Sequence, residues 1–181
     1  MTATVAIIGG GPSGLALARL LEGMNVDYVV YERDASADVV QQGGSLDLHP
    51  TTGQLVLERA GLKDQFEKYA RRDVNVLLVD KQGKKLLDFD EGRDSPEIDR
   101  VKLRRLLAAS IPHEKIQWNK TVVSAERDAA GKVRIAFADG STAAGFKLLV
   151  GADGAWSRIR PLVGTSSNTD KPPSLPYFVH S

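Results

Sequence analysis

A glycine-rich turn follows the first apolar segment of the chain and limits the folds that the chain can adopt. Residues 4–8 are mostly β-branched and apolar, which predicts a buried parallel strand that ends at the glycines. Nearly continuous apolar positions over 15–21 predict a helix that ends at Gly23, and Tyr28–Tyr31 predicts a second strand. Strand, helix and strand within about thirty residues form a βαβ unit, whose crossover is almost always right-handed.

The glycines have the spacing of a dinucleotide-binding turn, Gly9-x-Gly11-x-x-Gly14. Gly9 permits the tight turn, Gly11 lets the backbone approach a pyrophosphate, and Gly14 lets the helix pack closely on the strand. The start of the helix adds unpaired N–H groups and a positive dipole end. Glu32 ends the second strand, where its carboxylate can accept hydrogen bonds from ribose hydroxyls and disfavours a 2′-phosphate. The spacing predicts an adenine dinucleotide site; the alternative is a plain glycine turn followed by a solvated Glu32.

The rest of the chain predicts a mixed architecture, because helical and strand patterns alternate with turn residues. Thr51 or Thr52 is the expected cap of a helix that stops at Gly61, and Asp99 is the expected cap of a later helix. The remaining elements are a short helix over 62–69, a hairpin over 74–89, the later helix over 101–110, an antiparallel meander over 122–144 and a buried strand over 147–150.

This order of elements predicts the fold class and the extent of the domain. We expect an α/β fold, namely a Rossmann-like dinucleotide-binding domain with a parallel sheet and an inserted antiparallel sheet. The domain would cover residues 1–164, and the antiparallel insertion would lie at about 120–145. Residues 165–181 are rich in Ser, Thr and Pro, which is typical of a linker.

Two later segments could bring polar groups to a bound dinucleotide. Asp153-Gly154 follows the last predicted strand; the alternative is an ordinary strand-to-helix turn that is capped by Asp153. Asp47 lies between leucines after Gly43-Gly44, and two adjacent glycines allow close approach of the backbone to a flat ligand. An Asx turn is the alternative for Asp47.

The helix projected over 100–110 carries arginines at the border of its apolar stripe. At about 100° per residue, Leu103, Leu106 and Leu107 form the stripe, Arg100 and Arg104 fall at one border, and Arg105 points to solvent. Arg104 can therefore reach from a packed helix into a site. The alternative is a salt bridge at the border of the stripe.

Composition disfavours several other classes of function. The 24 Lys and Arg residues nearly balance the 23 Asp and Glu residues, so no overall field recruits nucleic acid or an anionic membrane. Cysteine is absent and the three histidines are far apart in sequence, so we expect no metal site. The first apolar segment is too short for a signal peptide or a membrane span, which predicts a cytoplasmic protein.

Together these motifs resemble those of flavoprotein aromatic hydroxylases of the para-hydroxybenzoate hydroxylase type. They are more closely similar to those of the tetracycline-inactivating flavin monooxygenases and their fungal relatives. The segments that carry the resemblance follow the family order along nearly the whole chain, at 9–14, 31–34, 43–49, 96–100, 103–104 and 151–160.

The resemblance implies an FAD-dependent monooxygenase that uses NAD(P)H to insert one oxygen atom of O2 into a small organic substrate, aromatic or polyketide-like. Within the glycine turn it adds Ser13 to the cofactor-binding residues. It implies that Glu32 and Arg33 contact the adenosine part of FAD, and that Asp153-Gly154 belongs to a motif linked to both FAD and NAD(P)H. The remaining cofactor-binding positions that it implies, both at the flavin, are Asp47 and Arg104. No catalytic residue is assigned.

The resemblance also implies a further motif with Gly-Asp, later in the chain, that holds the ribityl chain and pyrophosphate of FAD. No Gly-Asp follows Gly154, so the length of 181 residues suggests the N-terminal portion of such an enzyme. Residues 165–181 would then be a linker or the start of a truncated substrate domain. One alternative is a truncated, non-catalytic relative that binds FAD, and another is an NAD-dependent dehydrogenase. Incomplete cover of the sheet would expose apolar surface and promote association with another chain.

Overall fold

The computed structural model describes residues 3–39, 44–72, 77–88, 94–129 and 131–162. They fall into two units, one formed by Met1–Ser36 and Ile111–Ser181 and the other by Ala37–Ser110. The α-helices are α1 (Pro12–Gly23), α2 (Leu55–Arg59), α3 (Lys63–Glu67) and α4 (Arg100–Ala109). The strands are β1 (Val5–Ile8), β2 (Tyr28–Tyr31), β3 (Ser45–Asp47), β4 (Leu77–Val79), β5 (Lys85–Asp88), β6 (Glu97–Asp99), β7 (Ile116–Gln117), β8 (Val122–Arg127), β9 (Val133–Phe137), β10 (Thr142–Ala144) and β11 (Leu148–Gly151).

The first unit is built around a parallel sheet with the strand order β11-β1-β2-β7. Strand β1 pairs in parallel with both β2 and β11, and none of its four residues is more than 5% exposed. The predicted strands and helix of the βαβ unit are confirmed, and α1 ends at Gly23. Strand β7, which pairs with β2, was not predicted because two residues are too few to carry a periodic pattern.

An antiparallel sheet with the order β10-β9-β8 packs on the parallel sheet. Ile135 and Phe137 of β9 share one buried cluster with Ala6 and Ile8 of β1. Gly140 has φ +81° in the turn that joins β9 to β10, a conformation that favours glycine. The predicted fold class, a Rossmann-like α/β domain with an inserted antiparallel sheet, is therefore confirmed.

The second unit contains a small antiparallel sheet of β3 and β6. Neither strand was predicted, because each has three residues with one apolar side chain at its centre. The predicted helical segments are present as α2, α3 and α4. The predicted hairpin is present as β4 and β5, although its residues 74–76 and 89 lie outside the described residues.

One predicted helix cap is wrong, and the other is confirmed in position but makes no capping hydrogen bond. Thr51 and Thr52 lie inside a π-helical turn, Pro50–Gln54, that leads into α2. Asp99 occupies the N-cap position of α4, but its side chain makes no capping hydrogen bond. The Asp99 carboxylate instead accepts a hydrogen bond from the Arg71 guanidinium at 2.8 Å, because a charge-assisted bond is stronger than one to a neutral amide.

Exposed apolar side chains are concentrated on the β4–β5 hairpin. Leu77, Leu78, Leu86 and Leu87 are each about half exposed. Within the described ranges, no helix has both the length and the apolar character needed to cross a lipid bilayer.

A lysine anchors the turn between β9 and β10. Lys120 Nζ lies 2.6 Å from Asp139 Oδ2, and the Ser141 hydroxyl and N–H donate to Asp139 Oδ1 at 2.6 and 2.9 Å. The hydrogen bond from Lys120, followed by those from Ser141, holds the pKa of Asp139 well below its usual range. Folding therefore favours the ionised carboxylate of Asp139.

This interaction predicts a pH-dependent contribution to stability. Because the pKa of Asp139 is lower in the folded chain than in the unfolded chain, the contribution is present above about pH 4 and is lost as the pH falls. We expect Asp139→Asn to lower the melting temperature at pH 7, and we expect the difference from wild type to shrink as the pH falls below 4. Thermal unfolding of both proteins across this range measures the effect, and an equal difference at all pH values would contradict it.

Candidate dinucleotide-binding site

The turn after β1 can be formed only by glycine at its first position. Gly9 has φ +107°, and a Cβ atom there would lie 2.4 Å from the carbonyl oxygen of Ala152. The Gly9 N–H donates a hydrogen bond to the Tyr31 carbonyl at 2.8 Å. The turn is therefore held between the ends of β2 and β11, the two neighbours of β1.

Gly14 and Gly11 have different surroundings, as their predicted roles require. A Cβ atom on Gly14 would lie 2.0 Å from the Gly9 carbonyl oxygen, so α1 packs directly against the turn. A Cβ atom on Gly11 would meet no protein atom within 4 Å. Gly11 has φ −76°, which any residue can adopt, so neither packing nor conformation demands glycine there. The open space beside Gly11 is where another molecule can approach the backbone.

The N-terminus of α1 offers backbone donors to this open space. Gly11 is the N-cap residue, and the Leu15 N–H makes the first intrahelical bond, to the Gly11 carbonyl at 3.0 Å. The N–H groups of Ser13 and Gly14 precede that bond and so have no intrahelical acceptor. The first turn contains no acidic residue that would oppose an anion. Ser13 is exposed, and this helix start is suited to a phosphate group.

Glu32 is held against the glycine turn by backbone hydrogen bonds. It is only 6% exposed, its Oε2 accepts from the Gly10 N–H, and its Oε1 accepts from the Asp34 N–H at 2.9 Å. Sequence reasoning missed Gly10, whose Cβ would come within 3.0 Å of the Glu32 side chain. The signal for it was the middle glycine of Gly9-Gly10-Gly11, which the spacing Gly9-x-Gly11-x-x-Gly14 leaves without a role. Arg33, by contrast, has a 65% exposed side chain 4.0 Å from Asp34 Oδ1.

Replacing Glu32 with glutamine tests this arrangement. The glutamine NH2 would face one of the two backbone N–H donors and leave that donor without an acceptor. We expect Glu32→Gln to lower the free energy of unfolding by about 1–3 kcal/mol, the cost of an unsatisfied buried donor. Urea unfolding measures it, with Glu126→Gln on the exposed side of β8 as the matched control. Equal stability of the two variants would show that the Glu32 contacts contribute nothing.

Asp153 follows β11 and has one bonded and one unbonded carboxylate oxygen. Its Oδ2 accepts from the Arg158 N–H at 2.7 Å, as the alternative of a capped turn predicts. Its Oδ1 is buried and makes no hydrogen bond within the described part of the chain. Gly154 has φ +82°, and a Cβ atom there would meet nothing. A buried acceptor without a donor is rare in proteins and suits a position beside a ligand.

These residues meet at one edge of the parallel sheet. Gly9, Glu32 and the loop at Asp153 follow β1, β2 and β11, whose carboxyl ends lie side by side. The carboxyl edge is where open α/β sheets bind ligands. Of the predicted site residues, the structure thus brings together those of the first unit.

Asp47 and Arg104 belong to the second unit. Asp47 is the last residue of β3 and pairs with Glu97 of β6. Arg104 lies on α4 beside the buried Leu103 and is half-buried. Arg105 is exposed, as expected, and pairs with Asp38 at 2.7 Å. Across the described residues, no group of three His, Asp or Glu side chains could hold a metal ion.

Comparison with known proteins identifies the family. A family model described as "FAD binding domain" matches residues 2–174. The chain is 37% identical to the monooxygenase penA of Penicillium thymicola, over 98% of this chain and 41% of that relative. It is 36% identical to the monooxygenase asqM of Emericella nidulans, over 93% of this chain and 41% of that relative. HpxO of Klebsiella pneumoniae, solved as a complex with FAD, has a similar fold with TM-score 0.71 and 26% identity, over 88% of this chain and 42% of HpxO.

The fold and the glycine turn define a dinucleotide-binding protein, and the family match makes FAD the dinucleotide. The chain belongs to the FAD binding domain family, which confirms the resemblance stated from its motifs. It spans about 41% of the length of these curated relatives.

The residues of the first unit fit the dinucleotide part of FAD. Gly11 leaves the backbone open to a pyrophosphate, and the first turn of α1 supplies N–H donors without an opposing carboxylate. Glu32 presents a carboxylate at the end of β2, and Asp153 Oδ1 is a buried acceptor without a donor. These groups match a ligand with phosphates and hydroxyls.

Proposed function

We propose that this chain is the FAD-binding portion of a cytoplasmic flavin-dependent monooxygenase that uses NAD(P)H and O2. The observation that carries the proposal is the glycine turn, in which Gly9 and Gly14 have no room for a side chain while Gly11 faces open space. When bound, FAD supplies the redox chemistry by accepting electrons from a reduced nicotinamide and passing them to O2. The protein's own residues bind and orient the cofactor.

In this proposal the two ends of FAD are bound by different residues. The first-turn N–H groups of α1 bind the pyrophosphate, and the Glu32 carboxylate accepts hydrogen bonds from ribose hydroxyls. Arg33 contacts the adenosine part, and the Asp153-Gly154 turn serves both FAD and the reductant. Asp47 and Arg104 bind at the flavin.

The substrate in this proposal is a small organic molecule, aromatic or polyketide-like, that receives one oxygen atom. The family assignment supports this class of reaction, since the two fungal relatives are named as monooxygenases. The exposed leucines of the β4–β5 hairpin provide an apolar surface through which the chain would associate with further protein.

A second candidate function is FAD binding without turnover. The two fungal relatives are more than twice as long as this chain, so FAD binding and turnover need separate tests. The experiment is FAD titration of the purified chain, followed by NAD(P)H oxidation with and without small aromatic compounds. Bound flavin with substrate-stimulated oxidation supports the monooxygenase, and bound flavin without oxidation supports the second candidate. Reduction of a carbonyl by NADH without flavin would support a dehydrogenase.

A further inference from the structure

The small sheet that carries Asp47 has one polar face and one apolar face. Strands β3 and β6 pair antiparallel, with Ser45 opposite Asp99 and Asp47 opposite Glu97. Because side chains alternate along a strand, these four polar side chains share one face, and the central Ile98 of β6 is fully buried on the other.

The polar face brings three carboxylates close together. Side chains directly opposite each other on antiparallel strands have Cβ atoms about 4.5–5.5 Å apart, and like charges at such positions destabilise the pairing. Asp47 and Glu97 are such a pair, and Asp99 is two residues along on the same face. A cation on this face would therefore stabilise the pairing of β3 with β6.

Arg71 supplies that cation and joins the two strands. Its Nη1 donates to Asp99 Oδ1 at 2.8 Å, and its Nη2 donates to Glu97 Oε2 at 3.3 Å and to Ser45 Oγ. The Arg71 backbone also pairs with β6, because Arg71 and Glu97 exchange two N–H to carbonyl bonds of 2.8 Å each. Ser45 lies on β3, so the guanidinium reaches across β6 to the strand of Asp47.

We propose that Arg71 is a positioning residue for the flavin end of the cofactor, because its guanidinium holds the strand Ser45–Asp47 in register with Glu97–Asp99. This inference rests on the proposed function, in which Asp47 binds at the flavin. Arg71 acts through Ser45 and the strand pairing, and it is not assigned a contact with the cofactor.

The planar guanidinium of Arg71 suits the contacts that join β3 and β6. Arg71 bonds three side chains on two strands at once, which a single ammonium on a flexible stem does less well. Lys102 also lies near this face, with its Nζ 3.4 Å from Asp99 Oδ2. Lysine at position 71 would keep the charge and lose part of the geometry.

The test compares Arg71→Met and Arg71→Lys with Arg72→Met in the full 181-residue chain. Arg72 is the matched control, because it also bonds two carboxylates, Glu67 and Asp94, and neither lies on β3 or β6. Two readouts are used. The first, without FAD, is hydrogen exchange of the Leu48 and Arg100 amides, which bond the Pro96 and Gly44 carbonyls across the strand pair. The second is the dissociation constant of FAD together with the visible circular dichroism of the bound flavin.

For Arg71→Met we expect the Leu48 and Arg100 amides to exchange about two- to fivefold faster, since ion pairs that are partly exposed to solvent stabilise less than buried ones. Exchange at Val30 in the parallel sheet should stay unchanged, which separates a local change from unfolding. We also expect about tenfold weaker FAD binding and an altered flavin dichroism, with partial recovery in Arg71→Lys. Arg72→Met should match wild type at the Arg100 amide and in FAD binding and flavin dichroism.

The outcomes separate this inference from the proposed function. If wild type binds FAD and Arg71→Met has the same affinity and dichroism, the inference is wrong and the proposed function stands. Unchanged exchange at Leu48 and Arg100 would also overturn the inference, whatever the affinity for FAD. A wild-type chain that binds no FAD would overturn the proposed function and, with it, the role of Arg71 toward the flavin.

Discussion

We expect Gly14→Ala to raise the dissociation constant of FAD at least about hundredfold and to lower the free energy of unfolding by about 2 kcal/mol. The added methyl group would lie 2.0 Å from the Gly9 carbonyl oxygen, so α1 must move away from the turn. Alanine is the better helix former by about 1 kcal/mol, which offsets only part of the steric cost. Displacement of α1 also moves the N–H donors of its first turn. FAD affinity therefore decreases together with the free energy of unfolding.

The control for Gly14→Ala is the same substitution at the other end of the same helix. A Cβ atom on Gly23, the last residue of α1, would meet nothing within 4 Å. We expect Gly23→Ala to keep wild-type FAD affinity and to stabilise the chain by up to about 1 kcal/mol. Urea unfolding and FAD titration of both variants measure the difference. A Gly14→Ala protein as stable as Gly23→Ala would contradict the packing of α1 on the turn.

Gly11→Ala should weaken FAD binding at least about tenfold while leaving the stability of the free chain within about 0.5 kcal/mol of wild type. The methyl group meets no protein atom, and φ −76° suits alanine. Two effects of similar size oppose each other in the free chain, because alanine restricts the unfolded state but is a poorer N-cap than glycine. The methyl group therefore weakens FAD binding because it takes up space that the pyrophosphate would occupy.

The pair of variants distinguishes a ligand effect from a folding effect. Thermal unfolding without FAD should separate Gly14→Ala from Gly11→Ala, whereas FAD titration should show both to be impaired. Unimpaired FAD binding by Gly11→Ala would mean that the open space beside Gly11 is not where the cofactor lies.

The sequence predicted the parts of the fold that depend on local pattern. Strands β1 and β2 and helix α1 were found at their predicted positions, because buried apolar runs and glycine turns specify them locally. The antiparallel meander was also predicted, from Asp139-Gly140 and the glycine turn before it. The different roles of Gly9, Gly11 and Gly14 follow from their spacing, and the steric surroundings agree with them.

Contacts between residues distant in sequence could not be predicted. Arg71 and Asp99 are 28 positions apart, and no periodic pattern links them, so Asp99 was interpreted as a helix cap. Strands β3 and β6 have three residues each, which is too short for alternation to be recognised. The hydrogen bond from the Gly10 N–H to Glu32 likewise depends on the pairing of β1 with β2. The Glu32 side chain comes next to Gly10 only after the two strands have paired.

FAD binding by the purified 181-residue chain shows whether the glycine turn, Glu32 and Asp153 form a site for this cofactor. We expect a yellow protein that binds one FAD, shows the visible absorption of oxidised flavin, and gains about 2.7 kcal/mol of stability at a free FAD concentration one hundred times the dissociation constant. A folded chain that remains colourless and has the same melting temperature with and without excess FAD would contradict it.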